Sequence, residues 1–113
     1  MELGRFELCL QVADVRRSLD FYSKLGFQVV GGDLDQGVIV VENGDCRLGL
    51  YQQFIAENLL SFRGGDIEEI ARKAHALHLS FEKAPFSAKD GTVAALLRDP
   101  DGNAVYLVSH PDE

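Results

Sequence analysis

The sequence predicts an α+β fold made of two βαβββ modules, and three observations carry this prediction. Apolar residues alternate along several short runs, as the two-residue period of a strand requires. Two other segments place apolar residues at three- and four-residue steps, which is the helical period. The order of these elements in module 1, about residues 5–53, recurs in module 2, about residues 57–110. We therefore expect one domain, 1–113, that contains an internal duplication.

The first strand and the first helix lie in the stretch Phe6 to Phe27. One strand face is apolar, and the other carries Glu7, Cys9 and Gln11. Asp14 is a typical helix N-cap, and Gly26 suits the left-handed position that ends a helix. The stripe of the helix that we expect to be buried consists of Val15, Leu19, Tyr22 and Leu25.

Three more strands complete module 1, with the sequences FQVVGG, QGVIVVE and CRLGLYQ. Asn43-Gly44 lies between the last two and predicts a tight hairpin, because both residues accept positive φ. The side chains of Arg47 and Tyr51 share one face of the return strand, with Gly49 between them.

Module 2 repeats this order. Its first strand, NLLSFR, carries Ser61 and Arg63 on one face. Asp66 is the expected N-cap of the second helix, with Glu69 at the position of a capping-box partner. The strands LSFEKAPF, TVAALLR and AVYLVS follow, and Pro85 marks the first of these as an edge or bulged strand. The helix stripe that we expect to be buried consists of Ile67, Ile70, Ala71, Ala74 and Leu77.

Composition excludes several classes of partner. A formal net charge of −7 argues against a nucleic-acid-binding surface, which needs clustered Lys and Arg. No apolar run approaches the roughly 20 residues of a membrane span, and the first residues lack the layout of a signal peptide. We therefore expect a cytoplasmic protein with no membrane partner.

Cys9 and Cys46 have no CxxC spacing and are interpreted as free thiols.

Three segments, LQVAD, SLDFYSKLGF and RDPDGNAVYLV, resemble the vicinal oxygen chelate superfamily. That group contains glyoxalase I, extradiol dioxygenases, fosfomycin-resistance enzymes and bleomycin-binding proteins. The resemblance implies two modules whose mixed sheets curl around a cavity, with the helices outside and the polar strand faces lining the cavity. It also implies a homodimer, because members complete their cavities by pairing modules within one chain or across two.

Metal-using members of this superfamily hold a divalent ion with four side chains. Carried over to this chain, the four positions fall on Glu7, Gly49, Leu59 (or Asn58, one residue earlier) and Tyr106. Gly and Leu offer no lone pair, and Glu7 stands where His or Gln is usual in the family. We therefore expect no metal and no other cofactor.

Glu7 has two interpretations. It is either a polar residue at the solvated end of its strand or a carboxylate inside the cavity. An unpaired buried carboxylate is costly, so the second interpretation requires a partner such as Arg47, Arg63 or a cationic ligand. The residues on the polar strand faces are predicted to bind a small molecule between the modules. They are Glu7, Cys9, Gln11, Arg47, Tyr51, Ser61, Arg63 and Tyr106.

Two functions remain open from the sequence. The first is a metal-independent small-molecule-binding protein that sequesters an antibiotic or a toxin. The second is a divergent metal-dependent lyase, dioxygenase or isomerase, which would hold Ni, Zn, Mn or Fe through substitute ligands. The loss of the ligand positions favours the first function, and no catalytic residue is assigned.

Overall fold

The computed structural model describes residues 1–111 and confirms the α+β class and the repeated βαβββ order. The elements of the first repeat are β1 (Gly4–Gln11), α1 (Val15–Lys24), β2 (Gln28–Asp33), a 3₁₀ helix (Leu34–Gln36), β3 (Val38–Asn43) and β4 (Cys46–Tyr51). Those of the second are β5 (Leu59–Gly64), α2 (Ile67–Ala76), β6 (Phe81–Ser87), β7 (Val93–Arg98) and β8 (Ala104–Ser109). Within residues 1–111, no helix is long and apolar enough to cross a membrane.

The chain forms two compact units. The first unit comprises residues 7–58, and the second comprises residues 1–6 and 59–111. In the first unit the strand order is β2-β3-β4-β1, with β1 parallel to β4 and the other pairs antiparallel. The second unit has the order β5-β8-β7-β6, with β5 parallel to β8. The shared order supports the internal duplication, and the single domain with its module boundaries stays a prediction.

Helix α1 covers one face of the first unit's sheet. Val15 is buried against Val41 and Leu50, and Leu19 and Tyr22 pack beside them. Asp14 begins the helix as predicted, because its carboxylate accepts the backbone N–H groups of residues 16 and 17 at 3.0 and 3.2 Å. The prediction that Leu25 is buried was wrong. Leu25 is 58% exposed, because it is the C-cap and lies beyond the last helical turn.

Helix α2 covers its own sheet in the same way. Ile67 and Ile70 form a core with Ala95 and Leu107 of the two central strands. Asp66 accepts the backbone N–H of Glu69 at 3.2 Å, as an N-cap does. Leu77 was also predicted to be buried, and this too was wrong: it is the C-cap of α2 and is 64% exposed.

The hairpin between β3 and β4 is present, but its turn is shifted by one residue from the prediction. Asn43 is still in β3 and pairs with Cys46, so the two turn residues are Gly44 and Asp45. Of these two, only Gly44 has a positive φ, at 58°. The shift changes which residues face each other across the hairpin, and it places Glu42 opposite Arg47.

Candidate functional site

The face of the first unit's sheet that is opposite helix α1 carries a charged network. Strand β1 supplies Glu7, strand β4 supplies Arg47 and strand β3 supplies Glu42. The register pairs Glu42 with Arg47 across the hairpin, and β1 runs parallel to β4 on the other side. Arg47 therefore lies between two carboxylates that come from different strands.

The contacts in this network are short. The Nε group of Arg47 donates to Oε1 of Glu7 at 2.8 Å, and Nη1 donates to Oε2 of Glu42 at 2.8 Å. The side chain of Glu7 is only 1% exposed, whereas those of Arg47 and Glu42 are 23% and 32% exposed. Glu7 is therefore a buried carboxylate with an arginine partner, which is one of the two arrangements that the sequence left open.

The protonation of Arg47 follows from these contacts. Its hydrogen bond to Glu7 raises the pKa of the guanidinium, and the bond to Glu42 raises it further. Partial burial lowers the pKa, but by less than the two carboxylates raise it. Arg47 is consequently a fixed positive charge throughout the physiological range.

Cys9 also contacts Glu7. The thiol of Cys9 is buried and donates to Oε2 of Glu7 at 3.3 Å, so each carboxylate oxygen has a partner. A neighbouring carboxylate repels a thiolate, and the thiolate is the nucleophilic form of cysteine. This geometry makes Cys9 a hydrogen-bond donor to the network.

Gly49 lies under the side chains of Glu7 and Tyr51. A Cβ atom built on Gly49 would come within 2.7 Å of Oε2 of Glu7 and within 2.7 Å of Cε1 of Tyr51. Real Cβ atoms essentially never make such close contacts, so the space that a larger residue would use is already filled. A carboxylate and an aromatic ring therefore occupy one of the four positions that the family resemblance assigned to metal ligands.

Gln11 lies at the end of strand β1 and is exposed. It is paired in register with Tyr51, and its backbone N–H donates to the Oδ1 atom of Asn58 at 2.8 Å. Glu7, Cys9, Arg47 and Tyr51 are thus brought together, whereas Gln11 lies at the border of this group. Asn58 is the alternative to Leu59 among the four ligand positions, and its side-chain oxygen accepts this hydrogen bond from Gln11.

The other predicted site residues belong to the second unit. Ser61 on β5 is paired in register with Tyr106 on β8, and Leu96 on β7 is the other neighbour of Tyr106. Ser61 is buried, while Tyr106 and Arg63 are half-buried. The structure therefore places Ser61 beside Tyr106, with Arg63 two residues further along the same strand.

The residues at the four family positions do not fit a divalent ion. Gly49 and Leu59 have no donor atom, Tyr106 offers a neutral phenol, and both oxygens of Glu7 are engaged by Arg47 and Cys9. Among residues 1–111, no group of three or more His, Cys, Asp or Glu side chains is arranged to hold a metal ion.

Glu42 is the member of the network that sequence reasoning missed. With the turn at Asn43-Gly44, Glu42 would have faced Asp45, so its pairing with Arg47 was not visible. Glu42 also lines a recess of about 330 Å³. It is lined by Gly26, Gln28, Val30, Glu42, Asn43 and Gly44.

Comparison with known proteins found likeness at the level of structure. No family model and no curated protein sequence matches this chain. A glyoxalase/bleomycin resistance protein/dioxygenase superfamily member from Vibrio splendidus 12B01 has a TM-score of 0.68 at 18% identity, over 94% of this chain and 97% of its own. A protein named as NAD-dependent benzaldehyde dehydrogenase from Legionella pneumophila has a TM-score of 0.75 at 21% identity, over 93% and 98%.

A hypothetical protein from Bacillus halodurans C-125 also matches, with a TM-score of 0.67 at 17% identity, over 99% of this chain and 96% of its own. At such identities the likeness establishes the fold and leaves the activity open. The sequence resemblance is therefore confirmed at the level of the fold.

Proposed function

We propose, on the premise that this chain has the fold of the glyoxalase/bleomycin resistance protein/dioxygenase superfamily, that it binds an organic small molecule without a metal ion. One observation carries the proposal: the carboxylate of Glu7 lies over Gly49 and is neutralised by Arg47. The guanidinium of Arg47 thus supplies the positive charge beside Glu7.

A divalent ion would have to displace Arg47 from Glu7. Removing one partner from a buried ion pair is strongly unfavourable, because the other charge is left buried and unpaired. The ion would gain few ligands in return, since neither Gly49 nor Leu59 has a donor atom. For this reason the alternative of a metal-dependent lyase, dioxygenase or isomerase is not proposed.

The same sheet face offers groups that suit an organic ligand. Tyr51 supplies a half-buried ring, and Arg47 and Glu42 supply a donor and an acceptor that are partly exposed. Ligand sites in proteins commonly combine apolar surface with a few fixed polar groups. Sequestration of an antibiotic or a toxin is one use of such a site that is known in the superfamily.

Titration calorimetry with Zn²⁺, Ni²⁺, Mn²⁺ and Fe²⁺, after treatment with a chelator, tests the absence of a metal site. We expect no one-to-one binding and no rise in melting temperature, because no set of ligands is available. The control is a variant with His75→Ala and His78→Ala, which removes adventitious binding to exposed imidazoles. A one-to-one complex that persists in this control and is lost in Glu7→Gln would contradict the proposal.

A further inference from the structure

We propose that Asn43 is a site of spontaneous covalent modification, at which the side-chain amide is lost as ammonia and an aspartyl or isoaspartyl residue is formed. This property is independent of the proposed small-molecule site. Three features of the first unit support it: the glycine that follows Asn43, the exposed turn in which that glycine lies, and the contact of the Asn43 amide with helix α1.

The reaction begins when the backbone nitrogen of Gly44 attacks the side-chain carbonyl carbon of Asn43. A nitrogen–carbon bond forms, the bond to the side-chain nitrogen breaks, and ammonia leaves with the proton of the Gly44 N–H. The attack is intramolecular, which favours it over the same reaction between separate molecules. One water molecule then opens the resulting succinimide ring at either of its carbonyl carbons. The product is aspartate with the normal peptide bond, or isoaspartate linked through its side chain.

Glycine at position 44 removes the main obstacle to this attack. A Cβ atom on the residue that supplies the nitrogen crowds its approach to the carbonyl carbon, and glycine has none. Gly44 lies in the turn with a φ of 58°. Apart from its chain neighbours, no atom of residues 1–111 lies within 4 Å of the place that its Cβ would occupy. Ring closure at Gly44 is therefore unhindered by the surroundings.

The other asparagines of the chain are internal controls. Asn58 precedes a leucine and Asn103 precedes an alanine, so the attacking nitrogen is more crowded in both cases. Both side chains are also hydrogen-bonded. The Oδ1 atom of Asn58 accepts the backbone N–H of Gln11 at 2.8 Å, and Nδ2 of Asn103 donates to Asp99 at 2.7 Å. Differences in rate among the three sites can therefore be measured within one chain.

The Asn43 amide connects the β3–β4 hairpin to the end of helix α1. Its Nδ2 group donates to the backbone oxygen of Leu25, the C-cap residue, at 3.1 Å. Both residues are exposed, and a hydrogen bond in such a position opens readily, which frees the amide to approach Gly44. After the reaction the side chain is a carboxylate, which accepts hydrogen bonds but does not donate them. The link between the hairpin and α1 is therefore lost on modification.

The isoaspartyl product also changes the strand that carries Glu42. Asn43 is the last residue of β3 and is paired in register with Cys46, next to the pair of Glu42 with Arg47. An isoaspartyl link adds a methylene group to the main chain and turns the original backbone carbonyl into a free carboxylate. The Asn43–Cys46 pair is then disrupted, and Glu42 and Arg47 become the end of the ladder, where strands fray. Modification of Asn43 should therefore alter the charged network.

Ageing of the purified protein in mildly alkaline buffer tests the site, because base removes the proton of the attacking N–H. Anion exchange separates the products, since each conversion adds one negative charge, and peptide mapping by mass spectrometry assigns them to residues. We expect conversion at Asn43 to be at least about tenfold faster than at Asn58 or Asn103, because glycine follows only Asn43. The rate should fall in mildly acidic buffer.

Two variants test the cause. Gly44→Ala adds a methyl group beside the attacking nitrogen, so conversion at Asn43 should slow to about the level of the other asparagines. Asn43→Gln keeps an amide but requires a larger ring, so conversion at this position should also become slow. Gly102→Ala is the matched control for the first variant, because Gly102 has a φ of 86°, has open space around it and follows an aspartate. It should leave the rate at Asn43 unchanged.

Equal rates at the three asparagines would overturn the proposal, and so would a rate at Asn43 that Gly44→Ala does not lower. The structural consequence is measured on the separated isoaspartyl form of ¹⁵N-labelled protein. Its spectrum should show shifts of the Leu25 amide and of the Arg47 Nε–H resonance. Asn43→Asp introduces the same charge with the normal linkage, so it should shift the Leu25 amide more than the Arg47 resonance. Resonances identical to those of the unmodified protein would contradict the described coupling of Asn43 to α1 and to the network.

Discussion

Gly49 is buried on strand β4, where Glu7 and Tyr51 leave no room for a side chain. The Gly49→Ala variant should be less stable by about 1–3 kcal/mol, the usual cost of forcing an extra methyl group into a packed interior. Urea unfolding followed by circular dichroism measures the difference in the free energy of unfolding.

Gly31 provides the matched control for this substitution. It lies on strand β2 of the same sheet, and a Cβ there would meet the Cβ of Val40 at 3.8 Å, which is ordinary van der Waals contact. Gly31→Ala should therefore change the stability far less. Equal losses for the two variants would show that the space above Gly49 is not filled as described.

Part of the site was predictable at the level of single residues. The strand period placed Glu7, Cys9, Arg47 and Tyr51 on one face, and the cost of a buried carboxylate indicated an arginine partner for Glu7. The approach of Arg47 to Glu7 depends on strand order and register, which a local pattern does not contain. Arg47 reaches Glu7 because β1 and β4 are neighbours.

At the scale of structural elements, the carboxylate of Asp99 closes the turn between β7 and β8. Asp99 accepts the side-chain amide of Asn103 at 2.7 Å and its backbone N–H at 2.8 Å, and it also accepts the N–H of Asp101. The side-chain bond from Asn103, followed by its backbone bond, lowers the pKa of Asp99. The ionised form is therefore favoured in the folded state.

The sign of the pH dependence follows from this lowered pKa. The contribution of Asp99 to stability is complete above the pKa of an unfolded aspartate, about 3.9, and is lost as the pH falls through the lower folded value. We expect Asp99→Ala to lower the melting temperature at pH 7, and this difference from wild type should shrink below pH 4. Calorimetric scans from pH 7 to pH 2 measure it.

Asp101→Ala is the control for this turn, since no described residue donates a hydrogen bond to the Asp101 carboxylate. Its effect should be small and constant with pH. If the two variants behave alike, the bonds to Asp99 do not stabilise the turn.

Element identity was predictable where the signal is local. Asp14 and Asp66 begin their helices as expected, because an N-cap is determined by a side chain and its nearest backbone. The C-terminal ends of the two helices were less predictable. Leu25 and Leu77 continue the helical period but lie at the C-caps, where the direction of the next segment decides exposure. The hairpin register likewise depends on pairing with partner strands.

For the molecule as a whole, we propose a homodimer through the β2 side of the first unit. Strand β2 is at the edge of this unit's sheet, and exposed Val29 and Val30 lie on it. Phe21 and Leu25 of α1 add two more exposed apolar side chains. The pairing of β2 with β3 shifts register between Val29 and Gly31, and such an irregularity makes β2 a poor template for a further strand, so side-chain packing is the expected contact.

Light scattering coupled to size-exclusion chromatography tests this assembly at tens of micromolar protein. We expect twice the chain mass for wild type and a single chain for Val30→Lys, because a lysine would place a charge in the apolar contact. Leu79→Lys, an exposed apolar position of the second unit, should leave the mass unchanged. A monomeric wild type, or a dimer unaffected by Val30→Lys, would contradict the proposal.

The close approach at Gly49 also restricts the mutational routes open to this protein. A donor side chain at Gly49 requires that Glu7 and Tyr51 first move away. Moving Glu7 alone leaves Arg47 beside Glu42 without its buried partner. A substitution at Gly49 and a substitution at Glu7 are each expected to be unfavourable until the other is present, which is sign epistasis between neighbouring positions. A metal site at this place would therefore need both substitutions together.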